Sequence, residues 1–191
     1  MLEKFKTNLE EQKILLQLAR ESINYGVLHQ TMLKISLEQY PEHLRENLAC
    51  FVTLEKNKEL RGCIGTLVAR SPLVQEVVTS AFSAAFLDRR FLPVTQQEIP
   101  ALQIHISILT PAVRMSFTSE ADLLTKLQPG IDGLILKVGN SSGTFLPSVW
   151  EQIPERQAFL QHLKNKAGLP MDYWSNQVEI FRYETEMFGE D

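Results

Sequence analysis

The residues with the clearest chemical potential lie in one short segment, Leu-Arg-Gly-Cys-Ile-Gly-Thr, at positions 60–66. It contains Cys63, one of 2 cysteines in the chain, together with Arg61, Gly62 and Gly65. The thiolate is the reactive form of cysteine, and a nearby cation favours it, while glycines let a ligand approach the backbone. Cys63 is therefore a candidate catalytic nucleophile or thiol ligand, and the arginine and the two glycines are candidate ligand-binding residues.

A strand over residues 60–67 would place Arg61, Cys63 and Gly65 on one face, because side chains alternate along an extended chain. Two residues at roughly 3.3 Å each separate the Arg61 and Cys63 side chains by about 7 Å. At that range a guanidinium favours a thiolate in a site shielded from water. Gly65 would leave room for a ligand or for another backbone. A free cysteine is also among the most buried residue types, so a structural role for Cys63 is the alternative.

The second cysteine, Cys50, lies on the strand expected to form a hairpin with the Cys63 strand. The expected hairpin pairs Glu55 with Leu60. That register sets Val52 opposite Cys63 and turns Cys50 to the same face, within reach of a redox interaction. A slip of one residue in the strand register would turn Cys50 to the other face. We favour the alternative that Cys50 is inert and buried.

Three further polar residues are candidate ligand-binding residues: Asp88, Arg90 and His105. Asp88 and Arg90 follow an apolar helical segment and would either complete a polar cluster or form a structural ion pair, which we favour. His105 could act as a base or as a hydrogen-bond partner. A half-exposed position on a strand, without a catalytic role, is the favoured alternative for His105.

Composition excludes several classes of protein. The 191 residues are 44% hydrophobic and 22% charged, with a formal net charge of -4, and no block of lysine and arginine stands out. We therefore do not expect nucleic-acid binding.

Two cysteines predict reduced thiols and a cytoplasmic protein. We see neither a signal peptide nor a run of about 18 apolar residues that could span a membrane. The histidines lack zinc-site spacing, so we expect neither a metal nor a cofactor.

Hydrophobic periodicity predicts a mixture of helices and hairpins. Helices are expected over Leu9–Val27, from an N-cap at Ser71 to about Leu87, over Glu120–Leu127 and over Pro154–Lys166, and strands over Leu48–Leu54, Leu60–Leu67, Leu102–Leu109, Leu134–Val138, Thr144–Pro147 and Val178–Thr185. Gly168 should adopt a left-handed conformation just after its helix. The absence of a strict strand–helix–strand alternation indicates the α+β class. No linker divides the chain, so we expect residues 1–191 to form one domain of two interwoven lobes.

Several segments in conserved order resemble one family. The segment at 60–66 is joined by Ala84-Ala85 with Asp88, Arg90, Phe91 and Pro93, by Ser107-Ile108-Leu109, by Asp132-Gly133-Leu134, by Phe145-Leu146-Pro147 and by Lys166-Ala167-Gly168-Leu169. Together they resemble AmmeMemoRadiSam system protein A, also called the AMMECR domain, from about Phe51 to Phe188. Two positions depart from the family pattern: Lys164 stands near a second cysteine of many relatives, and Ser148 replaces a glutamine.

The resemblance implies a two-lobed α+β fold with mainly antiparallel sheets, helices packed on them and a cleft near the Cys63 strand. It implies partners of two kinds, a Memo-like protein and a radical SAM protein, but no established activity. This chain lacks the cysteine triplet of an iron–sulfur cluster, so radical chemistry would belong to a partner.

Two functions follow as alternatives. The chain could be a thiol-dependent enzyme component, in which Cys63 is the nucleophile and Arg61 anchors a small anionic ligand. It could instead be a non-catalytic ligand-binding or adaptor protein that uses the same cleft.

Overall fold

The computed structural model describes residues 5–190, which fold into an α+β protein. Its helices are α1 (Leu9–His29), α2 (Leu73–Phe86), α3 (Glu120–Lys126) and α4 (Arg156–Lys166); its strands are β1 (Ala49–Lys56), β2 (Glu59–Gly65), β3 (Leu102–Leu109), β4 (Val113–Arg114), β5 (Gly133–Val138), β6 (Ser141–Phe145), β7 (Glu179–Tyr183) and β8 (Thr185–Gly189). The chain divides into two compact units. Unit 1 combines Met1–Thr110 with Glu186–Asp191, and unit 2 is Pro111–Thr185.

Unit 1 is built on a four-stranded sheet in the order β2-β1-β3-β8. Alternate residues of β1 and β3 are apolar and fully buried, among them Val52, Leu54, Ile104 and Ile106. They form one core cluster with the apolar stripes of α1 and α2. One face of the sheet is therefore covered by helices, and the other face carries the polar alternate residues of the same strands.

Helix α1 begins at a capping box, in which Asn8 and Glu11 exchange hydrogen bonds of 3.0 and 2.9 Å between side chain and backbone. Its Arg20 side chain reaches the end of β8, where Nε donates to Glu190 at 2.7 Å. The Glu190 carboxylate also accepts the backbone N–H of Ile104 at 2.9 Å. These bonds attach the last strand to both the helix and the sheet of unit 1.

Unit 2 contains a second antiparallel sheet in the order β4-β7-β5-β6. Helices α3 and α4 contribute Leu123, Phe159, Leu160 and Leu163 to its separate core, which also holds Leu134 and Leu136 of β5. Trp150 stacks on Phe159 with ring centroids 3.6 Å apart. Each unit thus has its own apolar core, as a compact folding unit requires.

The α+β class and the antiparallel sheets confirm the prediction from sequence. Several boundaries differ. Helix α2 starts after Pro72, and Ser71 donates to Glu76 at 2.7 Å instead of capping the backbone. Strand β6 starts at Ser141, before the expected start at Thr144. The expected final strand corresponds to β7, and β8, which starts at the last expected residue and lies in the other sheet, was not predicted. Gly168 has φ 77°, the predicted left-handed conformation.

No helix within residues 5–190 has both the length and the apolar character needed to cross a membrane.

Candidate functional site

A β-bulge sets the geometry around Cys63. Strand β2 pairs Leu60 with Glu55, as expected, but Gly62 with Leu54, so Arg61 is an extra residue in the ladder. Every position after the bulge is therefore shifted by one residue, and Cys63 lies opposite Thr53. The predicted pairing of Cys63 with Val52 is wrong, because the sequence pattern does not reveal an inserted residue.

The shift also separates the two cysteines. Thr53 and Cys63 share the polar face of the sheet, whereas Cys50 belongs to the opposite, helix-covered face and has no exposed surface. Burial raises the pKa of the Cys50 thiol well above its ordinary value. The expected same-face arrangement of Cys50 and Cys63 is therefore wrong, and Cys50 is a buried, protonated member of the core.

Cys63 is half-buried and has two polar neighbours, one at its sulfur atom and one at its backbone carbonyl. The Thr53 hydroxyl donates a hydrogen bond to Cys63 Sγ at 3.2 Å. Arg90 approaches from the chain after α2, and its Nη2 lies 3.4 Å from the Cys63 carbonyl oxygen. The cation that contacts Cys63 is therefore Arg90, through the backbone carbonyl, and its side chain is 56% exposed.

Asp88 joins the end of α2 to the Cys63 strand. Its carboxylate accepts the backbone N–H of Cys63 at 2.9 Å and the backbone N–H of Arg90 at 3.1 Å. It also accepts Nε and Nη2 of Arg90 at 3.0 and 2.6 Å. The bonds from Arg90 and Cys63 hold the pKa of Asp88 far below its ordinary range, although burial opposes them. Asp88 and Arg90 thus form an ion pair that also fixes the Cys63 backbone.

Arg61 is engaged by a carboxylate that sequence reasoning missed. Its Nε and Nη2 donate to the two oxygens of Glu98 at 3.0 and 3.2 Å, and Nη2 also donates to the Leu92 carbonyl at 2.9 Å. Only 14% of the Arg61 side chain is exposed. The bond from Arg61 lowers the pKa of Glu98 far below its usual value. Among the described residues, Arg61 Nη1 is buried without a hydrogen-bond partner.

The two glycines of the motif serve close packing of backbones. A Cβ atom on Gly62 would overlap the Ala84 carbonyl oxygen of α2, and one on Gly65 would overlap the Cys50 carbonyl oxygen of β1. Of the two roles expected for Gly65, the structure shows the approach of another backbone. These contacts explain the residue type at both positions without a ligand.

His105 lies on the polar face but not beside the thiol. Thr53 separates the two residues, since it pairs with Cys63 on one side and with His105 on the other. Two strand spacings amount to about 9.6 Å. His105 Nε2 lies instead 3.7 Å from Glu55 Oε2. The imidazole is therefore placed to interact with Glu55, and a base role toward Cys63 would require it to move.

The structure thus brings Cys63, Asp88, Arg90 and the unforeseen Thr53 together, whereas Arg61 is bound to Glu98. Within residues 5–190, no group of three or more His, Cys, Asp or Glu side chains is arranged to hold a metal ion. The cluster combines a half-buried cysteine with a guanidinium side chain that is 56% exposed.

Comparisons with known proteins agree on the family. The chain is 40% identical over 165 residues to Protein MJ0810 of Methanocaldococcus jannaschii, covering 82% of this chain and 80% of that protein. It is 36% identical over 195 residues to Protein MK0488 of Methanopyrus kandleri, with coverages of 97% and 91%. The crystal structure of an uncharacterized protein, PH0010 of Pyrococcus horikoshii, matches with a TM-score of 0.88 at 32% identity, covering 95% of this chain and 92% of that one. Residues 16–188 match the AMMECR1 family, and the chain therefore belongs to it.

Proposed function

We propose that this chain is a ligand-binding component that uses the polar face of the first sheet, with the Cys63 thiol and the Arg90 guanidinium as its contact groups. The observation that supports this proposal is the division of roles between the two arginines. Arg61 is bound to Glu98 and only 14% exposed, whereas Arg90, although paired with Asp88, has a side chain that is 56% exposed next to Cys63. Arg90 therefore has donors to offer a small anionic ligand.

Rigidity favours binding as the primary role. Asp88 fixes both the Cys63 backbone and the Arg90 side chain, so the two contact groups are held in place before a ligand arrives. Preorganised groups lose less conformational entropy on binding, and this increases affinity. Catalysis by a thiol usually needs an adjacent base, and the His105 strand lies two strand spacings from Cys63.

A thiol-dependent reaction step is the second candidate function. It is favoured by the Thr53 hydroxyl, which donates to Cys63 Sγ at 3.2 Å, and by the positive charge of Arg90. A hydrogen-bond donor to the sulfur atom and a nearby cation are two features common to reactive cysteines. In that case the chain would be a component of an enzyme rather than a passive binder.

The partners in this proposal are a Memo-like protein and a radical SAM protein, which the family resemblance implies. The bound ligand would be handed between this chain and those enzymes in the cytoplasm. No step of radical chemistry is assigned to the residues of this chain.

Pull-down with the Memo-like and radical SAM proteins of the same host tests the proposal. Cys63→Ser keeps the size and polarity of the side chain, and we expect it to retain both partners and any small molecule that co-purifies. Arg90→Gln should lose the co-purifying molecule, because the exposed charge is removed. Arg89→Gln is the matched control, since Arg89 is exposed and adjacent in sequence.

Native mass spectrometry separates the two candidate functions. A covalent adduct on Cys63 that disappears in Cys63→Ser would favour the thiol-dependent step over simple binding. If Arg90→Gln, Arg89→Gln and the unaltered chain recover ligand and partners equally, both candidate functions are contradicted.

A further inference from the structure

Unit 2 contains a groove with a basic lining. Its volume is about 490 Å³, and four cationic side chains from four elements line it: Arg114 of β4, Lys126 of α3, Arg156 of α4 and Arg182 of β7. No carboxylate is among the described residues that form this lining. Four convergent cations in a concave surface attract an anion more strongly than the net charge of the chain suggests.

Existing contacts leave much of this charge available. Arg156 donates Nε to the Leu127 carbonyl at 3.0 Å, a bond that orients the guanidinium without neutralising it. Lys126 and Arg114 form ion pairs with Asp122 and Glu179 at 2.9 and 2.8 Å. The Lys126 and Arg114 side chains are 43% and 65% exposed. Ion pairs that are this exposed are weak, and a ligand can displace them.

The fourth cation, Arg182, forms only a long ion pair, with the carboxylate of Asp132. Its Nε lies 3.9 Å from Asp132 Oδ1, too far for a direct hydrogen bond. The Asp132 side chain is 1% exposed, whereas the Arg182 side chain is 41% exposed. The positive potential of Arg182 therefore extends into the groove.

An aromatic groove of about 440 Å³ adjoins the basic one and shares Arg114, Met115 and Ser116 with it. Its wall includes Phe117 and Trp174, whose ring centroids are 5.7 Å apart. Both rings are partly exposed. Half-exposed aromatic rings next to cations are a common platform for a planar ring that carries charge.

The position of Trp174 is fixed from inside the unit. Lys164 is fully buried, and its ammonium lies 2.6 Å from Glu120 Oε1 and 5.5 Å from the Trp174 ring centroid. The buried Lys164 thus supports the aromatic wall. A cation–π contact of a desolvated ammonium keeps the ring in one orientation.

We propose that unit 2 binds a nucleoside phosphate, with its phosphates on Arg114, Arg156 and Arg182 and its base against Trp174. The basic groove provides guanidinium donors, which suit phosphate oxygens, and the adjoining groove provides the stacking surface. Each volume lies within the range of small-molecule sites. This site is independent of the Cys63 cluster, and its failure would leave the proposed function untouched.

Tryptophan fluorescence tests this proposal directly. The chain has 2 tryptophans, and Trp150 is 3% exposed, so a ligand at the surface reports through Trp174. ATP, GTP, CTP and UTP are titrated separately, with adenosine and inorganic pyrophosphate as partial ligands. We expect at least one nucleotide to quench the signal with a Kd well below that of adenosine or pyrophosphate. Trp174→Phe lacks the reporter, so its binding is measured by calorimetry, where we expect a higher Kd for the nucleotide.

Substitutions in the basic groove complete the test. Arg156→Gln should weaken nucleotide binding by roughly tenfold or more, as expected for a charged hydrogen bond to phosphate. Lys126→Gln, at an exposed position, gives a second measurement if Arg156→Gln fails to fold. Arg70→Gln removes the same charge from unit 1 and should leave Kd unchanged. Absence of quenching by all four nucleotides, tight binding of pyrophosphate alone, or equal weakening by Arg70→Gln would each overturn the proposal.

Discussion

The Asp88 carboxylate offers the sharpest test of the described geometry. Its side chain is 5% exposed and accepts four hydrogen bonds, three from Arg90 and one from the Cys63 N–H. Asp88→Asn removes the charge and replaces one acceptor oxygen by a donor NH₂, which must face another N–H group. A hydrogen bond to a charged group contributes about 1.5–3 kcal/mol. Because Arg90 itself is exposed to solvent, we expect the free energy of unfolding to fall by about 3 kcal/mol in total.

Thermal and urea denaturation measure this loss. For a chain of this size, about 3 kcal/mol corresponds to a decrease of roughly 6–12 °C in Tm. The pKa of Asp88 is lower in the folded state than in the unfolded one. Its stabilisation is therefore complete above the ordinary carboxyl value of 3.8 and declines as the pH falls below it. The difference in the free energy of unfolding between Asp88→Asn and the unaltered chain should therefore be complete at pH 7. It should shrink progressively as the pH falls below 3.8.

The matched control is Asp172→Asn, the same chemical change at an exposed position. It should alter the free energy of unfolding by no more than about 0.5 kcal/mol. A loss at Asp88→Asn that is as small as the control, or one that grows as the pH falls below the carboxyl range, would refute the role assigned to this ion pair.

Three further outcomes follow from the same region. Glu98→Gln should lower the free energy of unfolding by about 2–4 kcal/mol, since it leaves the mostly buried Arg61 guanidinium without its counter-charge. A double-mutant cycle with Arg61→Gln, measured by urea denaturation, should show a coupling energy between the two side chains. Gly62→Ala should cost about 1–3 kcal/mol or more in the same assay, because the new methyl group would overlap the backbone of α2. Iodoacetamide should label Cys63 alone in the folded protein and also Cys50 after denaturation; equal labelling of the two thiols in native buffer would contradict their assigned burial.

Local patterns were sufficient for most elements of the fold. The apolar stripe of α2 and the strict alternation of Leu102–Leu109 each reflect burial of one face, and both elements lie close to where periodicity puts them. The sequence of strand β8 has no such periodic pattern. It is short, its residues Thr-Glu-Met-Phe-Gly do not alternate, and it lies at an edge of the first sheet. An edge strand is specified by the strand that it joins more than by its own pattern.

The residues of the candidate site could also be predicted only in part from the sequence. Thr53 became a neighbour of Cys63 only through the bulge at Arg61, and a bulge is a property of two paired strands rather than of one sequence segment. Glu98 lies 37 residues from Arg61 along the chain, so no local spacing connects them. Asp88 and Arg90, only two residues apart, were identified from sequence as a polar cluster or ion pair. Short-range polar pairs can be read from a sequence, whereas long-range ones require the fold.

The return of the chain from unit 2 to β8 has a consequence for synthesis on the ribosome. Until all of Pro111–Thr185 has been translated, the first sheet lacks its final strand, and the backbone edge of β3 stays without that partner. An uncovered strand edge readily pairs with another chain. Nascent unit 1 therefore passes through an interval of vulnerability to aggregation, which ends when Glu190 reaches Arg20 and Ile104.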